Sequence, residues 1–153
     1  MRPGEQEGVN YFFRSRQQFQ QMIDRDELLE WAEFVGNFYG TPKHYVQAQI
    51  DQGHDVVLEI EVEGAKQIKQ TAPEALFIFL SPPSPEALYK RLKERSTEPE
   101  DKIIERVEKS KQELKEINWF DHHIVNEEGQ VEETAKKIIQ IIQQSRQKRA
   151  ERN

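Results

Sequence analysis

Hydrophobic and polar residues alternate along this chain with two different periods, and the order of these periods predicts its elements. Near the start, Ser15 stands where a helix N-cap is expected, and Phe19, Met22 and Ile23 follow on one helical face. A turn signal at Gly36 separates two aromatic, strand-like runs. These patterns predict a strand at 11–13, a helix from Ser15 to about Asp26, two strands within Leu28–Tyr39, and a helix from Thr41 to Gln52 closed by Gly53.

After Gly53 the pattern changes to strands that alternate with helices. The segment from Val56 to Val62 places Leu58, Ile60 and Val62 on one side of a predicted strand and glutamates on the other. The remaining segments predict two more strands, a buried parallel one at Ala75–Leu80 and one at His123–Val125. They also predict helices from Gly64 to about Gln70, from Pro85 to about Arg95, and after Asp101 to about Asn118. A last helix carries Val131, Ala135, Ile138 and Ile142 on one face. This order indicates an α/β sheet with right-handed crossovers.

Composition and charge narrow the function classes. The chain has 153 residues, of which 35% are hydrophobic and 33% charged, with a mean hydropathy of -0.90 and a net charge of -6. The length favours one domain with small inserts, and the acidic balance argues against a nucleic-acid binder and an adaptor for anionic membranes. The absence of cysteine excludes disulfides, thiolate zinc sites and cysteine nucleophiles. Since the chain shows neither a membrane span nor a signal peptide, we expect a cytoplasmic protein.

Glu30 is the candidate with the clearest chemical role. A carboxylate can accept from two donors side by side, and guanine offers such a pair at N1–H and its 2-amino group, where adenine presents an acceptor. Thr41 can donate its hydroxyl to the guanine O6, and the phenol of Tyr39 can reach a phosphate. Each residue also has an ordinary structural interpretation, with Glu30 as a surface charge, Thr41 as a helix N-cap and Tyr39 as a half-buried strand residue.

The start of the chain contains a candidate phosphate-binding loop. Gly4 and Gly8 can bend this loop, while the guanidinium of Arg2 and the phenol of Tyr11 can hold a phosphate dianion between them. An ordinary surface loop has the same composition, so this segment alone leaves both interpretations open.

Two further groups of charged residues are candidates for the site. Glu61 lies at the end of a predicted strand that runs into Gly64 and a helix, where an α/β sheet has its ligand crevice; a solvated edge strand is the plainer interpretation. Arg91 and Arg95 stand on one predicted helical face, and Arg106 follows a polar connection. This arrangement is typical of a mobile lid whose arginines meet transferred phosphates, although helix-surface arginines are usually only solvated.

Taken in order, these residues resemble the guanylate kinase family from Arg2 to about Ile142. The resemblance rests on a long ordered series of motifs: Arg2-x-Gly4-Glu5-x-x-Gly8-x-x-Tyr11, Leu29-Glu30-Trp31-Ala32, Gly36-Asn37-Phe38-Tyr39-Gly40-Thr41, Leu58-Glu59-Ile60-Glu61-Val62-Glu63-Gly64-Ala65, Phe77-Ile78-Phe79-Leu80, Arg91-Leu92-Lys93-Glu94-Arg95, Arg106 and Val125-Asn126. A series of this length is not a chance match.

The resemblance implies a fold and an activity. The fold is α/β, with a P-loop-kinase-type parallel sheet, flanking helices, a small GMP-binding α+β insert and a helical lid. The implied regions are a GMP-binding region at 1–52, the first part of the core at 53–89, the lid at 90–106 and the rest of the core at 107–153. The implied activity is phosphoryl transfer from ATP to GMP, giving ADP and GDP in purine nucleotide metabolism, with Mg²⁺ accompanying ATP.

The same resemblance implies roles for individual residues. Arg2, Tyr11 and Tyr39 correspond to GMP-phosphate binders, Glu30 and Thr41 to guanine readers, Glu61 to a carboxylate beside the guanine and ribose, and Arg91, Arg95 and Arg106 to the lid and phosphate-transfer arginines. No protein-bound metal is expected. The adjacent His122 and His123 make poor joint ligands, since neighbouring strand residues point to opposite faces.

One part of the family pattern is missing from this sequence. A nucleoside monophosphate kinase needs Gly-x-x-x-x-Gly-Lys-[Ser/Thr] to cradle the ATP phosphates, and none of the 7 glycines is followed by lysine. We therefore assign no cofactor-binding residue, and we expect this chain to be a truncated form that is inactive alone. A non-catalytic guanylate-kinase-like binding module is the alternative. The missing P-loop favours the module, whereas Glu30, Thr41 and the three arginines favour the enzyme.

Overall fold

The computed structural model folds the chain into two units, Met1–Pro73 and Glu74–Asn153. The structure describes residues 6–8, 11–34, 36–95 and 99–151. The first unit contains helix α1 (Arg16–Asp24), strands β1 (Leu28–Phe34) and β2 (Asn37–Pro42), and helices α2 (Lys43–Asp51) and α3 (Val62–Thr71). The second contains strand β3 (Ile78–Ser81), helices α4 (Pro85–Glu94) and α5 (Glu100–Glu113), a 3-10 helix (Leu114–Trp119), strand β4 (His122–Val125) and helix α6 (Val131–Ala150).

Helix α1 begins where the sequence predicts. The Ser15 hydroxyl accepts a hydrogen bond from the Gln18 backbone N–H at 3.1 Å, and the Gln18 side chain accepts from the Ser15 N–H at 2.8 Å. This reciprocal capping box satisfies two backbone donors that a helix start leaves without partners. The helix ends at Asp24, slightly before the predicted Asp26.

Strands β1 and β2 form the predicted antiparallel hairpin. Gly36 has φ +77°, a left-handed conformation that glycine adopts readily, so it suits the tight connection. The register pairs Glu30 with Thr41, Trp31 with Gly40, and Ala32 with Tyr39. Residues directly opposite each other share a face, so Glu30, Thr41 and Tyr39 lie on one face of the hairpin.

Two predicted strands of the first unit are not formed. The backbone of Tyr11 forms an isolated bridge to Glu7, and residues 12 and 13 belong to no strand of the described residues, so the strand predicted at 11–13 is wrong. Residues 56–60 keep an alternating pattern, with Val57 74% exposed and Leu58 and Ile60 half-buried, but the described residues contain no β-ladder that includes 56–61. Since a strand is defined by its hydrogen-bonded neighbour, this segment is not a strand, and α3 begins at Val62 rather than Gly64.

The start of α2 also differs from its prediction. The helix begins at Lys43 and its N-cap position is Pro42, with no side-chain cap. Thr41 is still part of β2, so the interpretation of Thr41 as an N-cap is wrong. Gly53, with φ +81°, follows the end of the helix as the sequence predicts.

The second unit contains the parallel pairing that an α/β fold requires. Strands β3 and β4 run parallel, with Ile78 opposite His122 and Ser81 opposite Val125. The strand predicted at Ala75–Leu80 is therefore confirmed in type, although it covers Ile78–Ser81. Because the chain combines helices with a small antiparallel sheet in the first unit and a small parallel sheet in the second, the predicted α/β class is confirmed.

The helices of the second unit follow their predictions closely, except on the face that α6 buries. Helices α4 and α5 pack through Leu92, Ile103 and Val107. In α6, Ile138 and Ile142 of the predicted face are half-buried, but Val131 and Ala135 are exposed and Thr134 is buried instead, so the first part of that face is wrong. No helix of the described residues is long and apolar enough to cross a membrane.

Candidate active site

The centre of the candidate site is a buried carboxylate in β1. Glu30 is 4% exposed, so its interpretation as a surface charge is wrong. The Thr41 hydroxyl, directly across the hairpin, donates a hydrogen bond to Oε1 of Glu30 at 2.6 Å. This hydrogen bond fixes one oxygen of the carboxylate against β2.

The other oxygen of Glu30 lies against helix α3. A Cβ placed on Gly64 would come within 2.3 Å of Oε2 of Glu30, a distance that no real side chain tolerates. Only glycine, which has no side chain, lets the helix approach the carboxylate this closely. The carboxylate therefore lies between Thr41 on the strand side and Gly64 on the helix side.

Burial and hydrogen bonding act on the charge of Glu30 in opposite directions. Burial raises the pKa of the Glu30 carboxyl, because the charged form loses contact with water. Hydrogen bonds from the hydroxyl and the backbone N–H of Thr41 lower the pKa and offset part of this effect. Burial is the larger cause, so the net pKa lies above its ordinary value of 4.5.

A tyrosine pair extends the site along the same face of the hairpin. Tyr39 lies two residues before Thr41 in β2, and its ring contacts the ring of Tyr11 edge to face, with centroids 6.0 Å apart. Tyr11 also contacts Phe13, at a centroid distance of 5.9 Å. The structure thus brings together the two tyrosines that the sequence proposes for phosphate binding. Arg2 lies outside the described residues.

Glu61 lies at the start of helix α3, in the same unit as Glu30. It is half-buried and occupies the N-cap position of α3, with φ -70° and ψ 158°. Gly64, which contacts Glu30, follows within the first turn of that helix. The first turn of α3 therefore carries both Glu61 and the glycine that lies against Glu30.

The predicted lid arginines lie in the second unit. Arg91 of α4 donates from Nη2 to the backbone carbonyl of Asn126 at 2.8 Å. Arg95 is exposed at the C-terminal cap of α4, and Arg106 is half-buried on α5. The polar connection at 96–98 falls outside the described residues. Arg91 and Arg106 therefore lie within α4 and α5, and Arg95 directly follows α4.

A polar cluster joins the two helices that carry these arginines. The hydroxyl of Tyr89 donates to Oε1 of Glu100, and Nζ of Lys93 lies 3.1 Å from the same hydroxyl. Lys93 also forms an ion pair with Glu100 at 3.6 Å. These contacts lower the pKa of the Glu100 carboxyl, first through the Tyr89 hydrogen bond. They supplement the apolar packing of α4 against α5.

Sequence reasoning missed Gln67, which contacts β1 beside Glu30. Its side-chain amide exchanges two hydrogen bonds with the backbone of Trp31. Glutamine carries no charge and has no distinctive spacing here, so its chemistry gave no signal. Gly64 belongs to the motif Leu58–Ala65, but its contact with Glu30 depends on the tertiary packing of α3 against β1, which the motif does not indicate.

Comparisons of the whole chain with known proteins give one family. The family model described as guanylate kinase matches residues 1–145. The chain is 46% identical to a guanylate kinase of Desulfitobacterium hafniense (strain Y51) over 148 residues, covering 97% of this chain and 74% of that protein. A crystal structure of guanylate kinase from Anaplasma phagocytophilum matches with a TM-score of 0.77 and 32% identity, covering 94% of this chain and 69% of that chain. The chain therefore belongs to the guanylate kinase family, the kinases that transfer a phosphoryl group from ATP to GMP.

Proposed function

We propose that Glu30 selects guanine as the base of the phosphoryl acceptor in this chain. The observation that carries this proposal is the burial of an acidic side chain whose partners, among the described residues, are both on Thr41. A buried carboxylate normally has its acceptor sites filled by protein donors or by a ligand. The incomplete pairing of Glu30 therefore supports a ligand that brings donors of its own.

The number of acceptor sites on Glu30 fits guanine. An ionised carboxylate offers about four lone-pair sites. The hydroxyl and backbone N–H of Thr41 occupy two sites at most, and Gly64 has no side chain with which to occupy another. At least two sites remain, which is the number that N1–H and the 2-amino group of guanine require. Adenine would place a ring acceptor against the carboxylate, which is unfavourable.

The remaining residues of the first unit are assigned to the rest of GMP. Tyr11 and Tyr39 present neighbouring phenols, which can donate to the phosphate, and Arg2 completes this group in the expected family pattern. Thr41 is the second guanine reader: its single hydroxyl hydrogen is donated to Glu30 in this structure, so reading the guanine O6 requires that hydrogen to turn from Glu30 to the base. Glu61 lies beside the guanine and ribose, supported by its place at the start of α3. Region 1–52 is thus the GMP-binding region.

Arg91, Arg95 and Arg106 are proposed to neutralise the charge of the transferred phosphoryl group. Guanidinium groups suit this role because they stay charged and bind phosphate oxygens in pairs. Region 90–106 is then the lid, with core at 53–89 and 107–153. We expect Mg²⁺ to arrive on the ATP phosphates. Since no cluster of three metal-ligating side chains exists among the described residues, none of them is assigned to the metal.

The decisive experiment compares two equivalent substitutions in one strand. Glu30→Gln changes the buried carboxylate, whereas Glu33→Gln changes an exposed glutamate of β1 and serves as the control. Binding of GMP and AMP is measured by titration calorimetry. We expect Glu30→Gln to weaken GMP about tenfold or more, because the new amide N–H faces the donors of guanine. The GMP affinity of Glu33→Gln stays at the wild-type value. Equal affinities in wild type and Glu30→Gln would remove Glu30 from the site.

A further inference from the structure

The Gln67 side chain is bonded to β1 in the manner of a neighbouring strand. Its Oε1 accepts from the Trp31 backbone N–H at 3.1 Å, and its Nε2 donates to the Trp31 carbonyl at 2.7 Å. Nε2 also lies 3.3 Å from the Glu63 carbonyl, within the same helix. Both N–H groups and one lone pair of the amide are therefore used, which fixes the orientation of the side chain.

These contacts occupy the outer edge of β1. In an antiparallel pair, residues alternate between those that exchange backbone hydrogen bonds with the partner strand and those that do not. Trp31 stands opposite Gly40 in β2 but uses both of its main-chain groups on Gln67. The amide of Gln67 thus supplies a peptide-like partner at an edge that β2 does not reach.

The position of Gln67 relates it directly to Glu30. Gln67 and Gly64 are three residues apart in α3, so they lie on the same face of that helix. Gly64 faces the Glu30 carboxylate, while Gln67 holds the peptide of Trp31, the next residue along β1. The two contacts therefore set the distance and rotation of α3 relative to Glu30, one at the side chain and the other at the backbone.

We propose that Gln67 is a positioning residue for guanine recognition, which fixes the Glu30 carboxylate through the backbone of Trp31. This inference rests on the proposed role of Glu30. A carboxylate that meets two adjacent donors must be held within about 0.5 Å of its productive place. Without the Gln67 amide, α3 can shift relative to Trp31. The Glu30 carboxylate then forms a weaker hydrogen bond with the 2-amino group of guanine.

The experiment compares GMP with inosine monophosphate, which lacks only the 2-amino group. The ratio of their affinities measures the contact between that amino group and Glu30. Gln67→Met keeps the length of the side chain but removes its donors and acceptor. Gln70→Met makes the same change at an exposed position of the same helix and is the matched control. Both affinities are measured by titration calorimetry, with thermal melting of each variant.

We expect wild type and Gln70→Met to prefer GMP by about tenfold or more. In Gln67→Met this preference falls by at least about threefold, because GMP loses affinity while inosine monophosphate does not. A partly unfolded variant still gives a valid ratio, since the folded fraction lowers both apparent affinities equally. An unchanged ratio in Gln67→Met would give Gln67 a purely structural role and overturn the inference.

A Glu30→Gln arm separates this inference from the proposed function. If Glu30→Gln abolishes the preference for GMP while Gln67→Met retains it, Glu30 reads guanine and Gln67 does not position it. If Glu30→Gln also retains the preference, Glu30 does not read the 2-amino group, and the proposed function fails together with the inference. If both variants lose the preference and Gln70→Met keeps it, the inference is supported.

Discussion

Substitution of alanine for Gly64 tests the guanine site from its helical side. A Cβ at this position would lie 2.3 Å from Oε2 of Glu30 and 3.1 Å from its Cδ. Because ordinary contact begins near 3.4 Å, the carboxylate has to retreat by about 1 Å. Its retreat is restricted, since Glu30 is buried and its Oε1 is held by Thr41 at 2.6 Å. We therefore expect Gly64→Ala to displace the carboxylate and strain or break the bond to Thr41.

The effects on stability and on binding have different magnitudes. Alanine favours a helix over glycine by up to about 1 kcal/mol. Loss of a buried hydrogen bond to Glu30 costs about 1–3 kcal/mol. The free energy of unfolding therefore falls by about 0–3 kcal/mol. The affinity for GMP falls by at least about tenfold, because the N1–H and the 2-amino group of guanine both have to bond a displaced Glu30 carboxylate.

Titration calorimetry with GMP and thermal melting together check this prediction. Glu30→Asp supplies a matched background, because it shortens the side chain and gives the new methyl group room. In that background Gly64→Ala should change GMP affinity by less than about threefold, so the two substitutions are not additive. A Gly64→Ala chain with wild-type Glu30 that binds GMP within about twofold of wild type would refute the proposed contact between Glu30 and guanine.

Two further predictions concern pH and stability. The pKa of Glu30 is raised in the folded state, first by burial, so its contribution to stability is present below the unfolded value of 4.5 and is lost as pH rises through the folded pKa. The free energy of unfolding, measured from pH 4.5 upwards, should decrease with rising pH in wild type but not in Glu30→Gln. The affinity for GMP should change in the opposite sense and weaken as pH falls, because binding needs the ionised carboxylate. Ser15→Ala removes the capping box of α1 and should lower the free energy of unfolding by about 1 kcal/mol, measured by urea denaturation.

Much of the first unit could be predicted because its signals are local. Ser15 begins α1 through a contact three residues away, and Gly36 adopts the left-handed conformation that its turn requires. Once the turn is placed at Gly36, the antiparallel register brings Glu30 opposite Thr41. The sequence also indicates the chemistry of both residues, so the contact between Glu30 and Thr41 could be predicted from a turn signal and two functional groups.

The errors arise where a distant partner decides the outcome. Alternation over 56–61 correctly indicates that Leu58 and Ile60 are half-buried, but strand formation also needs a hydrogen-bonded neighbour, which the pattern does not specify. In α6, the Thr134 hydroxyl lies 3.3 Å from Oδ1 of Asn126, and the threonine is buried while Val131 is exposed. Hydrophobic periodicity alone cannot identify a face that is buried through a polar contact.

The environment of Glu30 links the selectivity of the site to its cost in stability. A raised pKa means that the fold holds the ionised carboxylate less favourably than water does, even with the hydrogen bonds from Thr41. Additional protein donors would relieve this cost, but they would also occupy the lone pairs that a base must use. Gly64 and Gln67 avoid that conflict, because one brings α3 close without a side chain and the other bonds the backbone of Trp31 rather than the carboxylate. Helix α3 can therefore position Glu30 while leaving its acceptors to the ligand.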